Sequence, residues 1–320
     1  MNSSQGNKIV VLSGGVGAAK LLQGLANVID PTHISAIVNV ADDTTLHGLR
    51  ICPDLDTVTY TLAGEIDAEK GWGLKNESWK AMEMLKTYGG LDWFQLGDRD
   101  IGTHMYRTHR LIQGASLTTI TKEIALSLDV HVSIVPASDD PISTMVTSSE
   151  LGEISFQDYF VRHQHNLQVS DVRFDGIEKA KPGPEVLDII LSASSIIIAP
   201  SNPIVSIGPI LAIPGVLDAL KTRKANTIAI SGIINGKALK GPADQLLKGL
   251  GHESSVVGVA RIYSDIASSF VIDNADAQHA SLIEDLGMQC FITDTVMTNS
   301  QKSAKLCEAL IPLCFPEVSI

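Results

Sequence analysis

The chain predicts an α/β fold built on a doubly wound, mainly parallel sheet, with a helical insertion covering the carboxyl edge of the strands. Three observations predict it. Short β-branched apolar runs recur along the chain and alternate with stretches of helical periodicity, the pattern of a parallel sheet buried on both faces. The first run leads into a glycine-rich turn and then a helix. The second leads into a concentration of acids, and in open parallel sheets the ligand crevice lies beyond the carboxyl ends of the strands.

The first element is Lys8-Ile-Val-Val-Leu12, followed by Ser13-Gly-Gly-Val-Gly17 and Ala18-Ala-Lys-Leu-Leu-Gln-Gly-Leu25. Glycine permits positive φ and close approach of an anion, and the free N–H groups and dipole at a helix N-terminus favour phosphate. Gly14, Gly15 and Gly17 therefore read as a phosphate cradle. No Gly-Lys-Ser/Thr follows, so this is not a Walker loop, and Ala18 and Ala19 break the dinucleotide spacing. Next, Asn39-Val-Ala-Asp-Asp43 and His47-Gly-Leu-Arg-Ile-Cys-Pro-Asp-Leu-Asp56 place Asp42, Asp43, Asp54 and Asp56 just past a strand. Acids there meet a ribose, a metal ion or a proton in transit; the plainer alternative is a solvated Asp-rich turn.

Candidate strands fall at 8–12, 34–40, 131–135, 195–199, 227–231, 256–259, 269–272 and 290–292, and the stretch of about 57–128 reads as the helical insertion. Within it, Gln95-Leu-Gly-Asp-Arg-Asp100 begins a segment carrying His104, Arg107, His109 and Arg110; a helix over 101–112 would set His104 beside Arg107. This is the densest group of potential anion ligands in the chain, unless it is an exposed helix with internal Asp–Arg pairs. Ser138 and Asp139, in Pro136-Ala-Ser-Asp-Asp-Pro141, suit a base or a sugar hydroxyl, or a plain turn. Ser201 and Asn202, in Ala199-Pro-Ser-Asn-Pro203, offer small donors for a phosphate or a guanine edge. Pro182-Gly-Pro184 marks a hinge or helix start.

Composition narrows the function. A formal net charge of -12 over 320 residues argues against nucleic-acid binding. No apolar run approaches the roughly 20 residues of a membrane helix, and Met1–Asn7 lacks a signal-peptide core, so no membrane partner and a cytoplasmic location are expected. Cys52, Cys290, Cys307 and Cys314 show no C-x-x-C spacing for zinc or a disulfide framework. A single large domain over 1–320 is expected.

Taken together, Ser13-Gly-Gly-Val-Gly-Ala-Ala-Lys20, His47-Gly-Leu-Arg-Ile-Cys-Pro-Asp-Leu-Asp-Thr-Val58, Gly71-Trp-Gly73, Leu96-Gly-Asp-Arg-Asp-Ile-Gly-Thr-His104, Ser138-Asp-Asp140, Ser201-Asn-Pro203 with Ser206-Ile-Gly-Pro209, and Asp294-Thr295 resemble the 2-phospho-L-lactate transferase family of deazaflavin-coenzyme biosynthesis, over nearly the whole chain. The resemblance implies a Rossmann-like fold and a Mg²⁺-dependent transfer in coenzyme F420 assembly. A guanylylated three-carbon phospho-acid, lactyl-2-diphospho-5'-guanosine or its enolpyruvoyl counterpart, would pass its phosphoester unit to 7,8-didemethyl-8-hydroxy-5-deazariboflavin (Fo) and release GMP.

On that reading Asp42, Asp43, Asp54 and Asp56 form the metal cage, with Asp42 and Asp56 catalytic. Gly14, Gly15, Gly17, Ser201 and Asn202, with Ser138 and Asp139, hold nucleotide and phosphates. Arg99, His104 and Arg107 grip the donor carboxylate, since an Arg fork matches that group. Family analogy sets Asp56 near metal and acceptor hydroxyl and Gln95 beside the deazaflavin ring, although a metal-bound carboxylate is a poor base. Asp42 and Asp43 could instead hold a ribose. A homodimer is the family expectation, and His47-Gly-Leu-Arg-Ile-Cys52 leans toward the enolpyruvyl donor. The alternatives are a nucleotide-sugar-binding regulator of the gluconeogenesis-factor type, which shares the glycine loop and the Ala-Asp-Asp segment, and a nicotinamide oxidoreductase.

Overall fold

The computed structural model describes residues 7–315; the N-terminal stretch read for a signal core lies, but for Asn7, outside the described residues. Seven strands, β1 (Ile9–Ser13), β2 (Ile34–Val38), β3 (Ser133–Pro136), β4 (Ser195–Ile198), β5 (Thr227–Ile230), β6 (Ser269–Asp273) and β7 (Gln289–Thr293), form one sheet. Their spatial order is β7-β6-β5-β4-β1-β2-β3, and every pairing is parallel. Val11 lies between Ala36 of β2 and Ile197 of β4. Helices cover both faces, so β1, β4 and β5 are buried at every position and carry continuous rather than alternating apolar sequence. Strand order reverses between β1 and β4, and the crevice of a doubly wound sheet opens at that switch point.

Helix α1 (Gly15–Val28) returns over the sheet and buries Leu21, Leu22 and Leu25 completely, each worth about 1.5–3 kcal/mol of transfer free energy. Its partner is the C-terminal helix Ser300–Cys314. A Cβ on Gly24 would stand 2.5 Å from the Ser303 carbonyl oxygen, so only glycine allows the two helices to approach this closely.

Between β2 and β3 the chain leaves the sheet. A hairpin (Thr44–Leu46 with Leu49–Ile51) precedes α2 (Pro53–Leu62), and after a loop come Lys80–Thr87, α3 (Asp98–Ile112) and Leu117–Ser127. Proline at the first position and Asp54 and Asp56 in the first turn suit the N-terminus of α2. The excursion is helical as expected, but 63–79 and 88–97 are mostly loop.

Two features depart from the sequence reading. Val256-Val-Gly-Val259, read as a strand, opens the helix Val256–Tyr263. Ser255 caps it, its Oγ accepting from Gly258 N at 3.0 Å, and Val256, Val259, Ala260 and Tyr263 share the buried face at helical spacing. The second is an unanticipated antiparallel sheet with Ser143–Ser148 between Gly152–Ser155 and Val169–Asp175. Its Ser/Thr-rich central strand alternates between half-buried and buried, and too few large apolar residues mark the period. Val146, Phe156, Tyr159 and Val169 pack there with Val205 and Leu246 as a second core. Among the described residues no single helix is long and apolar enough to cross a membrane.

Candidate active site

A cavity of about 620 Å³ opens at the β1/β4 switch point, within the range of small-molecule sites. Its floor is the glycine loop. A Cβ on Gly17 would stand 2.5 Å from the Pro200 carbonyl oxygen, and one on Gly14 2.6 Å from Ser206 Cβ, so the loops after β1 and β4 touch through absent side chains. Ser201 Oγ donates to Gly14 O at 2.7 Å and fixes that contact. Gly15 takes φ 71° and its N–H donates to Asp54 Oδ1 at 2.8 Å. Val16 and Gly17 also line the cavity, and first-turn amides of a helix have no intrahelical acceptor. Asn202 Oδ1 accepts from Ile204 N at 2.9 Å, whereas its buried Nδ2 has no protein partner.

Asp42 and Asp54 form the acidic wall beside this loop. Burial first, then repulsion from Asp54, pushes the Asp42 carboxyl well above the usual carboxylate range. Burial pushes Asp54 up to about 6, against the pull of its hydrogen bonds from Asn39 and Gly15. Two buried carboxylates that repel each other across a ligand crevice are what a divalent cation would relieve, so the residues present fit Mg²⁺. Asn39, which sequence reasoning did not single out, holds the pair: its Nδ2 donates to Asp54 Oδ2 at 3.0 Å, and its Oδ1 accepts from Ala41 N at 3.0 Å. Its position at the end of β2, opening the acidic stretch, was the available signal. Thr144 Oγ1 donates to Asp42 Oδ1 at 3.2 Å and Gln157 Nε2 to Asp42 O at 2.7 Å; Thr144 comes from the unanticipated sheet and Gln157 from the helical turn that follows its strand Gly152–Ser155.

The four-aspartate cage is corrected. No three of Asp42, Asp43, Asp54 and Asp56 bring oxygens within 4.8 Å of one another. Asp43 turns away to Arg50, whose Nη2 donates to Asp43 Oδ2 at 3.1 Å; burial pushes its carboxyl up to about 6, with Arg50 opposing. Asp56 faces Arg107, which donates from Nη1 to Oδ2 at 3.1 Å and from Nη2 to Oδ1. Burial works against the Arg107 charge, but Asp56, together with Cys52 and Tyr60, outweighs it and raises its pKa.

The grip on a donor carboxylate is corrected with it. Arg107 is buried and ion-paired. His104 Nδ1 lies 3.2 Å from Arg107 Nη1, and since guanidinium only donates, that nitrogen accepts. Nε2 then carries the proton and faces Asp100 Oδ2 at 3.3 Å, out of line for a hydrogen bond. Tyr60 Oη donates to Asp100 Oδ1 at 2.7 Å. Asp56, Asp100 and His104 do converge within 4.8 Å, but the Arg107 cation already occupies that carboxylate. Arg99 is exposed and bound to Glu65 at 3.1 Å, outside the cavity wall. Ser138 and Asp139 are likewise elsewhere: Ser138 Oγ donates to Lys181 O at 2.6 Å, and Asp139 Oδ1 accepts from Thr118 N at 2.7 Å.

The far wall is aromatic, with Tyr60, Trp72, Trp93, Phe94, Phe156 and Phe160. Phe156 and Phe160 stack at 5.4 Å and Trp72 meets Trp79 edge-on at 6.2 Å. Gln95 borders this wall, its Nε2 donating to Asp92 O at 2.6 Å. Of these aromatics only Trp72 belonged to a motif the sequence reading quoted.

This arrangement has known counterparts. Residues 9–306 match the family described as 2-phospho-L-lactate transferase CofD. The chain belongs to this CofD family. It is 41% identical to a protein named phosphoenolpyruvate transferase from Nocardia farcinica, over 96% of this chain and 95% of that one. It is 37% identical to one named 2-phospho-L-lactate transferase from Methanosarcina barkeri, over 95% and 98%. A crystal structure of a UPF0052-family protein from Bacillus halodurans superposes with a TM-score of 0.63 at 19% identity, covering 96% of this chain and 100% of that one; this likeness establishes the fold. In the CofD family chain described here, the cavity places the glycine loop, the two acids and the aromatic wall around one space.

Proposed function

We propose that the protein transfers the phosphorylated three-carbon acid of a guanosine-diphosphate-activated donor to the ribityl hydroxyl of Fo, forming F420-0 or its dehydro form and releasing GMP. One observation carries the reading: within a single cavity, the Asp42–Asp54 pair beside the first turn of α1 faces a wall of flat aromatic rings. The first end suits a diphosphate and the second a planar tricyclic acceptor.

Mg²⁺ held by Asp42 and Asp54 would neutralise charge on the phosphates as the leaving group departs. The chain's own residues orient the rest. The amides of Val16 and Gly17 and the unpartnered Asn202 Nδ2 face the donor's phosphate oxygens. The aromatic wall holds the ring of Fo and excludes water that would otherwise hydrolyse the donor. The acceptor oxygen attacks the phosphorus bearing the three-carbon acid, the bond from that phosphorus to the GMP oxygen breaks, and the hydroxyl proton leaves to solvent. Asp56 is held by Arg107 rather than free as a base, so no side chain is assigned to take the hydroxyl proton. The 41% identity to the Nocardia farcinica protein named phosphoenolpyruvate transferase, against 37% to the Methanosarcina barkeri protein named 2-phospho-L-lactate transferase, supports the enolpyruvyl donor.

The test is incubation with Fo, Mg²⁺ and each donor in turn, read by mass spectrometry. The enolpyruvyl donor should give a product that EDTA abolishes. Absence of product with every donor, together with binding of a nucleotide-sugar, would replace the transferase by the regulator.

A further inference from the structure

The corrections above leave the donor's negative charge without the cations first assigned to it. Among the described residues, the cavity wall contains three basic side chains: Lys70, His104 and Lys240. His104 is engaged by Arg107 and Asp100. Lys70 pairs with Asp67 at 3.4 Å and lies 4.4 Å from the centre of the Trp79 ring. Lys240 follows the small hairpin Ile233–Ile234 with Lys237–Ala238, is exposed, and makes no ion pair among the described residues. It is the uncommitted cation of this wall.

It lies beside Gly71. A Cβ on Gly71 would stand 3.3 Å from Lys240 Nζ and 3.7 Å from Val16 Cγ1. The ammonium therefore lies against a residue without a side chain and close to the first turn of α1, whose amides open into the same space. A second positive charge is near: Lys20, one turn further along α1, donates from Nζ to Met297 O at 2.9 Å. Its pKa is lowered by burial and then by the charge of Lys240. Lys20 does not line the cavity; the Lys240 ammonium, beside the first turn of α1 in a chain of net charge -12, marks a place for an anion.

We propose that Lys240 is the cation that holds the diphosphate of the nucleotide donor over the first turn of α1, an assignment that rests on the transferase reading above. The lysine supplies a mobile point charge, as suits a diphosphate that is cleaved between its two phosphorus atoms and whose GMP half must then leave. Gly71 keeps its path clear. The hairpin that carries Lys240 and the loop that carries Gly71 thereby meet over the donor, joining the C-terminal half of the sheet to the helical insertion.

The experiment is calorimetric titration of GDP with Mg²⁺, and separately of Fo, into the wild-type chain, Lys240→Ala and Lys240→Arg. Lys240→Ala should weaken GDP binding about tenfold, the effect of one charge-assisted phosphate contact at a partly exposed site. Fo binding should stay within about twofold, Lys240→Arg should remain near wild type, and the deficit should shrink as salt is raised, since exposed charges are screened. Because Lys240 is exposed on a turn, unchanged melting temperatures will show that the fold is retained. If wild type binds GDP and Lys240→Ala binds it equally well, the assignment of Lys240 is wrong while the transferase reading stands. If wild type itself fails to bind GDP, the transferase reading falls and Lys240 with it.

Discussion

Removing the Arg107 guanidinium should destabilise the protein more than almost any other single change near the cavity. The Arg107 side chain is 2% exposed and that of Asp56 8%, and the two meet through two hydrogen bonds. Arg107→Met keeps the aliphatic volume but leaves Asp56 buried without its cation, beside His104 and near Asp100. Breaking one side of a buried ion pair costs about 3–5 kcal/mol, whereas replacing both sides with neutral groups costs far less. For a chain of this size that loss corresponds to a melting-temperature drop of roughly 4–7 °C. The assay is a double-mutant cycle by urea denaturation of wild type, Asp56→Asn, Arg107→Met and the double variant at pH 7.5. The double variant should recover at least about 2 kcal/mol of the Arg107→Met loss through coupling. A single-mutant cost under about 1 kcal/mol, or simple additivity, would refute the description of this pair as a closed structural unit and return Arg107 to the substrate-binding candidates.

Further outcomes follow from other parts of the site. Asp54, normally at 3.8 and pushed up to about 6 by burial, binds more protons folded than unfolded between those values. Its contribution therefore falls as pH rises through that window and is fully unfavourable above it, by roughly 3 kcal/mol at most. Without Mg²⁺, Asp54→Asn should gain stability relative to wild type between pH 4 and 7, and added Mg²⁺ should raise the wild-type melting temperature at pH 7.5 but not that of the variant; a pH-independent difference would contradict this. Asp139→Ala should lose about 1 kcal/mol by leaving Thr118 N and Oγ1, in the first turn of Leu117–Ser127, without their acceptor, with kcat and both KM values unchanged; a higher donor KM would restore Asp139 to the site. Trp93→Ala should raise the KM for Fo about 10-fold, the effect of one lost aromatic contact, and leave GDP affinity unaltered in calorimetry.

The sheet was legible because its strands are buried on both faces: runs such as Ser195-Ile-Ile-Ile198 have no plausible exposed state. Val256-Val-Gly-Val259 shows the limit, since four apolar residues are compatible with strand or helix and the deciding features were the Ser255 cap and a buried face continuing to Tyr263. The site divides in the same way. Residues placed by a strand end, such as Gly14, Asp42 and Ser201, line the cavity because topology alone brings them to the crevice. The engagement of Arg107 with Asp56, 51 positions away, could not be read from residue type, which shows that a carboxylate and a guanidinium are present but not that each has already met the other. Asn39 was passed over for the same reason: its value lies in the partner it holds. Phe156 and Phe160 reach the cavity from the helical turn that follows the strand Gly152–Ser155 of an antiparallel sheet, whose weak apolar period concealed it.

The most direct measurement is the anomalous density of Mn²⁺, substituted for Mg²⁺, in crystals grown with GDP. A peak between the Asp42 and Asp54 carboxylates, beside the first turn of α1, is predicted. A peak at Asp56, Asp100 and His104 instead, with Arg107 displaced, would contradict the account of which acids hold the metal and which are closed by the protein itself.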